Sequence, residues 1–394
     1  MQVQSAKLPR PSEAAIAHSR ELIDLIRQEM AAQGDKITFQ HFMQLVLYAP
    51  GLGYYVAGSR KLGEEGDFVT APEISPLFSH CLAHTIRPVL ATLTEPNILE
   101  VGAGSGVMAA EILRHLAQKA ELPEHYYILE LSGDLRERQR QTIEQAVPEC
   151  LSRVVWLDEL PETLSAVVLG NEVLDAMPVN ILCKHDGQWQ ERYVGFDGDR
   201  FVWHNGEVSD PRLLERIQIL EDQNGESFVD GYTTEINLIA EDWLQSLAGS
   251  LTQGLVLLID YGFPQHEFYH PQRSTGTLMC HYRHHSHDDP FVYPGLQDIT
   301  AHVDFSAMAE AAHNSGMQVE GYTNQASFLL GSGLTELYQQ EDETALQPQM
   351  VVANQIKKLT MPHEMGELFK VIGFSKQLDV SLAGFMLRDL RNSL

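Results

Sequence analysis

A short apolar strand running into three closely spaced glycines constrains this chain more than any other stretch: Asn97-Ile98-Leu99-Glu100-Val101-Gly102-Ala103-Gly104-Ser105-Gly106. Pro96 and Asn97 end a loop, Ile98, Leu99 and Val101 have buried-strand character, and residues 107–113 continue as a helix. Strand, glycine turn and helix together bring backbone N–H groups close to a ligand. A dinucleotide fingerprint needs G-x-G-x-x-G, whereas here Gly102 and Gly104 are followed by Gly106, and position 107 is Val. Glu100 stands two residues before the first glycine, where its carboxylate can meet an ammonium group with no pyrophosphate to cradle. The spacing favours a cofactor bearing an ammonium group over a nucleotide, with a plain tight turn as the third reading.

The chain has 394 residues, enough for one large α/β domain with additions or for two domains. Hydrophobic content of 44 % and charged content of 21 % are ordinary for a globular protein. Acids outnumber Lys plus Arg by 54 to 27, and a formal charge of -27 repels a phosphate backbone, which argues against nucleic acid as substrate. The same charge suits a cationic substrate, although solubility accounts for it equally well. Cys81, Cys150, Cys183 and Cys280 are scattered without metal spacing and suit a reducing compartment such as the cytoplasm. No apolar run is long enough to span a bilayer, and no signal or transit peptide is expected at the N-terminus.

Upstream of the glycine turn, residues 14–32 read as an amphipathic helix, with Ile16, Ile23, Leu25, Ile26 and Met30 apolar. Thr38 can cap a second helix, which Pro50-Gly51-Leu52-Gly53-Tyr54-Tyr55 breaks. The stretch 63–75 is rich in glycine, acids and small polar residues and reads as a lid loop. A helix over 76–93 leads into the glycine strand. Downstream, 126–132 is a second strand with Glu130 near its end, where Rossmann-like folds place an acid on ribose hydroxyls. A helix over 134–147, a third strand at 153–157 ending at Asp158 and a fourth at 165–169 follow. This alternation predicts a parallel, doubly wound sheet. Asp186-Gly187, Asp197-Gly198 and Asn205-Gly206 are hairpin signals and mark an antiparallel insertion over about 181–208. Residues 235–248 read as a helix, 254–262 as a buried parallel strand, 304–315 as a helix and 317–322 as a late strand. Residues 263–298 are loop-rich with a candidate strand at 277–282, and the remainder reads as largely helical, including 365–372.

The fourth strand runs into Asn171-Glu172-Val173-Leu174-Asp175. Strand C-termini line the ligand crevice of an open α/β sheet, so Asn171, Glu172 and Asp175 stand opposite the glycine turn. The two acids are three apart and share a face if that turn is helical. Two carboxylates there can hold a guanidinium through bidentate, charge-assisted bonds, or they can simply start a helix. His281, His284, His285 and His287, with Asp288 and Asp289, match no closed zinc ligand set, and the segment reads as a polar loop with no metal. The chain has no G-x-S-x-G elbow and no P-loop.

Taken together, these motifs resemble the class I S-adenosyl-L-methionine-dependent methyltransferases of the mitochondrial dysfunction protein A family, protein arginine methyltransferases that assist assembly of NADH dehydrogenase (respiratory complex I). The resemblance covers nearly the whole chain. It is carried by the stretches 51–55, 66–75, 100–106, 171–179, 260–262, 298–305 and 365–370, with Ala103 where the family often has Pro. It implies an α/β fold. The core is a Rossmann-like class I methyltransferase sheet, doubly wound and mostly parallel, with N-terminal helical, antiparallel hairpin and C-terminal helical additions. The expected divisions are 1–75, 76–325 and 326–394.

The implied cofactor is S-adenosyl-L-methionine, held by Glu100, Gly102, Ala103, Gly104, Gly106, Glu130, Leu131, Asp158 and Asn171. The implied acceptor is an arginine on a protein, with a respiratory NADH dehydrogenase subunit as one candidate partner. Glu172, Asp175 and Asn171 are the expected catalytic residues. Asp67, Thr70, Pro72, Glu73, Asp260, Tyr261, His302 and Asp304 are the expected lid and acceptor residues. Two rival readings stay open: a non-catalytic assembly factor that binds the cofactor, and a small-molecule methyltransferase with a cationic acceptor. Monomer and homodimer are both compatible with the sequence.

Overall fold

The glycine strand occupies an interior position in the main sheet. The computed structural model describes residues 8–57, 69–224, 228–342 and 349–394. The chain opens with α1 (Glu13–Ala32), β1 (Lys36–Thr38), α2 (Phe39–Tyr48), α3 (Ala71–Ile74) and α4 (Pro76–Leu90). Next come β2 (Asn97–Val101), α5 (Val107–Gln118), β3 (Tyr126–Leu129), α6 (Gly133–Ala146), β4 (Val154–Leu157) and β5 (Leu164–Asn171). They are followed by β6 (Asn180–His185), β7 (Gln188–Asp197), β8 (Arg200–Gly206), α7 (Pro211–Asn224), β9 (Thr233–Ile236), α8 (Leu238–Ser250) and β10 (Leu251–Phe263). Then come α9 (Gln265–Phe268), β11 (Met279–Tyr282), β12 (His285–His287), β13 (Asp298–Thr300), β14 (Val303–Asp304), α10 (Phe305–Asn314) and β15 (Gln318–Asn324). The last elements are α11 (Gln325–Gly331), α12 (Leu334–Asp342), α13 (Gln349–Thr360), α14 (Met365–Leu368), β16 (Phe369–Lys376) and α15 (Ala383–Met386).

The main sheet has the order β15-β16-β10-β5-β2-β3-β4, with β14 beside β10. Strands β4, β3, β2, β5 and β10 run parallel, and β16 is antiparallel to both its neighbours. Successive residues of β2 serve opposite faces, as the two-residue period of a strand requires. Ile98 packs with Phe78, Ile86 and Leu113 of α4 and α5, while Leu99 packs with Leu244, Leu247 and Met308 of α8 and α10. Each such buried side chain contributes about 1.5–3 kcal/mol. This is the doubly wound, mostly parallel architecture that the strand–helix alternation predicts. The strand order reverses between β2 and β5, which opens a crevice at their C-terminal ends.

A second, antiparallel sheet has the order β1-β7-β6-β9, with β8 on β7. Leu22 and Ile26 of α1 and Phe39, Phe42 and Val46 of α2 pack with its Ile181, Val194 and Phe201. Thr38 caps α2 by accepting the His41 N–H at 3.2 Å. The antiparallel unit is larger than the hairpin signals predict: it gains β9, α7 and the three-residue β1. Accordingly 233–236 is a strand, and the helix expected at 235 begins at Leu238.

Two further expectations are overturned. The histidine segment is not all loop: His281 lies in β11, inside the strand expected at 277–282, while His285 and His287, read as loop, lie in β12 of a three-stranded β12-β11-β13 sheet. In the stretch 365–372 only Met365–Leu368 is helical, and Phe369–Lys376 is a strand buried along seven of its eight residues. A strand covered on both faces has no polar–apolar alternation to read, so periodicity does not separate it from a helix. Among the described residues no helix is long and apolar enough to cross a membrane.

Candidate active site

The C-terminal ends of β2, β3, β4 and β5 converge on a cavity of about 590 Å³, within the ~300–1,000 Å³ usual for small-molecule sites. Gly102 and Gly104 line it with left-handed backbones, at φ 65° and 53°. Only glycine adopts that conformation without steric cost. Ala103 lines the cavity between them. Gly106 does not line it: at φ 83° it caps α5, and an added Cβ would meet the Gln139 Cα at 2.9 Å.

Glu100 is 1 % exposed, and its Oε2 accepts the Tyr126 hydroxyl at 2.6 Å. Burial pushes its carboxyl up to about 7. Glu130 follows β3. Its Oε1 accepts the Ser132 N–H at 2.9 Å and its Oε2 accepts the Gln139 Nε2 at 3.0 Å. The same Nε2 donates to the Gly104 carbonyl at 3.1 Å, and the Gln139 Oε1 accepts the Trp156 indole N–H at 2.9 Å. Gln139, on α6, therefore ties the glycine turn to Glu130, a positioning role that nothing in the sequence pattern flags. Asp158 accepts from the Arg136 guanidinium at 2.7 Å, and Leu131 is an exposed residue on the cavity wall.

Asn171, Glu172 and Asp175 all line the cavity, as do Thr70, Pro72, Glu73 and Tyr261. The turn carrying the two acids is not helical, because Glu172 has φ 54°. The helical face-sharing expected of them is replaced by a strained turn, and a left-handed non-glycine residue costs about 1–3 kcal/mol. What holds the turn is Asp260, 1 % exposed on β10. Its Oδ2 accepts the backbone N–H groups of Val173, Leu174 and Asp175 at 3.1, 2.9 and 3.2 Å. Asp260 does not line the cavity, so it acts as a brace and not as an acceptor-binding group. Asp260→Ala strands three N–H donors, two of them in buried bonds, at about 1–3 kcal/mol each. The expected result is a loss of at least about 3 kcal/mol of folding stability, read by denaturant titration; an unchanged midpoint would remove this bracing role.

Within the turn, the Asn171 Nδ2 donates to the Glu172 Oε1 at 3.2 Å, and the Ala71 backbone N–H also reaches the Glu172 carboxyl. The Tyr261 hydroxyl donates to the Asp175 Oδ2 at 2.5 Å. Burial first and the neighbouring Asp175 second push the Glu172 carboxyl up to about 8, and burial pushes Asp175 up to about 6. The Asn171 Oδ1, Asp175 Oδ1 and Glu73 Oε2 are buried with no hydrogen-bond partner among the described residues.

Of the remaining candidates, Asp67 lies outside the described residues, as do residues 63–68 of the stretch read as a lid. His302 and Asp304 are set apart from the cavity. The His302 ring packs edge-on against Tyr261 at 5.1 Å, and burial pushes it down to about 4. Asp304 caps α10, accepting the N–H groups of Ser306 and Ala307 at 3.0 and 3.1 Å.

Sequence reasoning missed Tyr48, Tyr55 and Asp298, which line the cavity from α2, the turn after it and β13. Tyr55 and Asp298 lie inside motifs that carried the family resemblance, without any chemistry being assigned to them. The cavity wall contains eight carboxylates (Glu73, Glu100, Glu130, Asp158, Glu159, Glu172, Asp175 and Asp298) and, among the described residues, no Lys, Arg or His. No group of three or more metal-ligating side chains occurs among the described residues.

A family model described as "Putative S-adenosyl-L-methionine-dependent methyltransferase" matches residues 81–323. A crystal structure from Burkholderia thailandensis, bound to S-adenosyl-homocysteine, is 44 % identical in sequence and superposes with a TM-score of 0.93. That match covers 98 % of this chain and 100 % of the other. Among named relatives, the mitochondrial protein arginine methyltransferase NDUFAF7 of Mus musculus is 29 % identical over 90 % of this chain and 84 % of its own. The Homo sapiens protein of that name is 29 % identical over 84 % of this chain and 78 % of its own.

Proposed function

The chain belongs to the family of S-adenosyl-L-methionine-dependent methyltransferases, and from that premise we propose that it methylates an arginine side chain of a protein. One observation carries the acceptor: among the described residues the cavity pairs eight carboxylates with no basic side chain, and three of its buried acceptor atoms have no donor. A guanidinium brings positive charge and five N–H donors in a planar fork. The named arginine methyltransferases among the relatives support the same reading.

The cavity fits the cofactor. Left-handed glycine backbones at 102 and 104 line it, and Glu100 sits buried beside them. Bound S-adenosyl-L-methionine supplies an electrophilic methyl carbon on a cationic sulfonium. We assign Glu100 to its ammonium end, Glu130 to its ribose hydroxyls, and Asp158 and Leu131 to its adenine end. The backbone from Gly102 to Gly104 allows the close approach. Asn171 stands between the cofactor and acceptor ends. Glu172 and Asp175 orient the guanidinium and hold it in line with the methyl carbon, so most of their effect is positioning. Methylating a guanidinium nitrogen releases one proton, and Glu172 is placed to take it. Asp260 and Tyr261 keep this pair in place.

The pH dependence follows from the raised carboxyl groups. Asp175 and Glu172 are neutral in acid and ionise as pH rises through about 6 and about 8 respectively, so methyl transfer is expected to climb across that interval. A rate that is flat from pH 5.5 to 8.5, with the chemical step isolated by single-turnover measurement, would exclude the pair from charge-based acceptor binding.

We place the reaction in the cytoplasm, where the four buried cysteines, none of them in a disulfide, are at home, and take a subunit of respiratory NADH dehydrogenase as the first acceptor to assay. The test is mass spectrometry of the proteome with and without this chain. Loss of a methyl-arginine that returns with the wild-type chain, and not with a cofactor-site variant, supports the reading; an unchanged methyl-arginine inventory overturns it.

A further inference from the structure

Resting on the arginine reading above, we propose that Tyr48, Tyr55 and Asp298 form a cation-selective wall of the acceptor pocket, one that admits a planar guanidinium in preference to an ammonium. The three residues come from separate segments. Tyr48 ends α2, Tyr55 lies in the turn beyond it, and Asp298 opens β13 in the small third sheet. All three line the same cavity as Glu172 and Asp175.

The two tyrosine rings stack with centroids 5.5 Å apart at an interplanar angle of 24°. Their hydroxyls are engaged: Tyr48 donates to the Ala176 carbonyl at 3.0 Å, next to Asp175, and Tyr55 donates to the Asp298 carboxylate at 2.9 Å. Burial, with Asp298 next, raises both phenols, so they remain neutral donors. Asp298 is 4 % exposed. The result is a stacked aromatic pair with a buried carboxylate at its edge, facing the same space as the Glu172 and Asp175 turn.

The chemistry of this arrangement distinguishes cations. A guanidinium is flat, weakly hydrated and able to stack on an aromatic face while its N–H fork meets a carboxylate. An ammonium is a compact, strongly hydrated point charge, and it loses more hydration for fewer directed contacts. Glu172 and Asp175 aim the reacting nitrogen; the tyrosine pair and Asp298 select the kind of side chain that reaches them.

The test uses the full chain saturated with S-adenosyl-homocysteine and two probes, acetyl-Gly-Arg-Gly-amide and acetyl-Gly-Lys-Gly-amide, with binding read by calorimetry. The wild type is expected to favour the arginine probe by about tenfold or more. Tyr48→Leu and Asp298→Asn should each weaken the arginine probe about tenfold and bring the two probes level. Tyr55→Phe keeps the ring, loses the hydroxyl that holds Asp298, and should fall between. Circular dichroism melts identify folded variants, and unchanged S-adenosyl-homocysteine affinity shows that the cofactor end is intact. If the wild type fails to bind the arginine probe, the arginine reading falls and this proposal with it. If it binds and the variants keep both affinity and preference, the wall is refuted and the arginine reading stands. Loss of S-adenosyl-homocysteine in step with the probe also refutes it, by placing these residues at the cofactor end.

Discussion

Glu172→Gln and Asp175→Asn are each expected to cut methyl transfer on the order of 100-fold, with S-adenosyl-L-methionine affinity close to wild type. Each amide keeps the side-chain shape, and the cofactor-facing groups at the ends of β2, β3 and β4 are untouched. What is lost is charge and one acceptor oxygen, and the amide donor opposes the guanidinium N–H groups. The guanidinium then sits out of line with the methyl carbon. A second readout separates this from misfolding. Burial holds the folded-state Glu172 carboxyl up at about 8, against 4.5 ordinarily, so the native state keeps a proton that the unfolded state gives up. Stability is therefore present below the ordinary value and is lost as pH rises through about 8. Glu172→Gln does not titrate and should melt higher than wild type at pH 8, with the gap closing toward pH 5. Wild-type rates in both variants would leave the acids as turn-forming residues and move the acceptor site elsewhere.

Gly104→Val is expected to abolish S-adenosyl-L-methionine binding in a protein that still folds. Position 104 has φ 53° and lines the cavity. A β-branched residue is a steric outlier there, and its side chain enters the space where cofactor and backbone meet. The Gly104 carbonyl is also the acceptor for Gln139, so a shifted turn pulls on the group that orients Glu130. Calorimetry decides the matter: a folded variant with wild-type affinity would relocate the cofactor site.

The parts of this site that the sequence made legible are those carried by local pattern. The apolar run before Gly102, the acid at Glu130 and the acids after β5 sit at strand ends, and a parallel sheet brings strand ends together whatever the loops do. Residues whose role depends on distant packing stayed hidden. Tyr48 reaches the cavity only because α2 packs on the antiparallel sheet, and Asp298 only because β13 pairs with β11. Asp260 looked like a ligand-facing acid at a strand end, yet three backbone donors turn it inward. Asp304 belongs to a helix cap, which in sequence looks the same as a functional acid preceding a helix. Gln139 gave no sign at all, since an isolated glutamine on a helix reads as surface.

The placement of β16 bears on how the molecule is built during synthesis. This strand is late in the chain, yet it lies between β10 and β15 and pairs with β10 from Gly254 to Tyr261. The glycine turn, Glu130 and the Glu172 turn leave the ribosome well before it. Until Lys376 has emerged, one edge of β10 is a bare ladder of N–H and C=O groups, in the strand whose Asp260 braces the Glu172 turn. An open edge of that kind is a template for pairing with other nascent chains, and a closure that joins distant segments is slow. A translational pause before residue 369 would therefore hold on the ribosome a chain that already contains Asp260 and the turn it braces, with the β16-facing edge of β10 still unpaired.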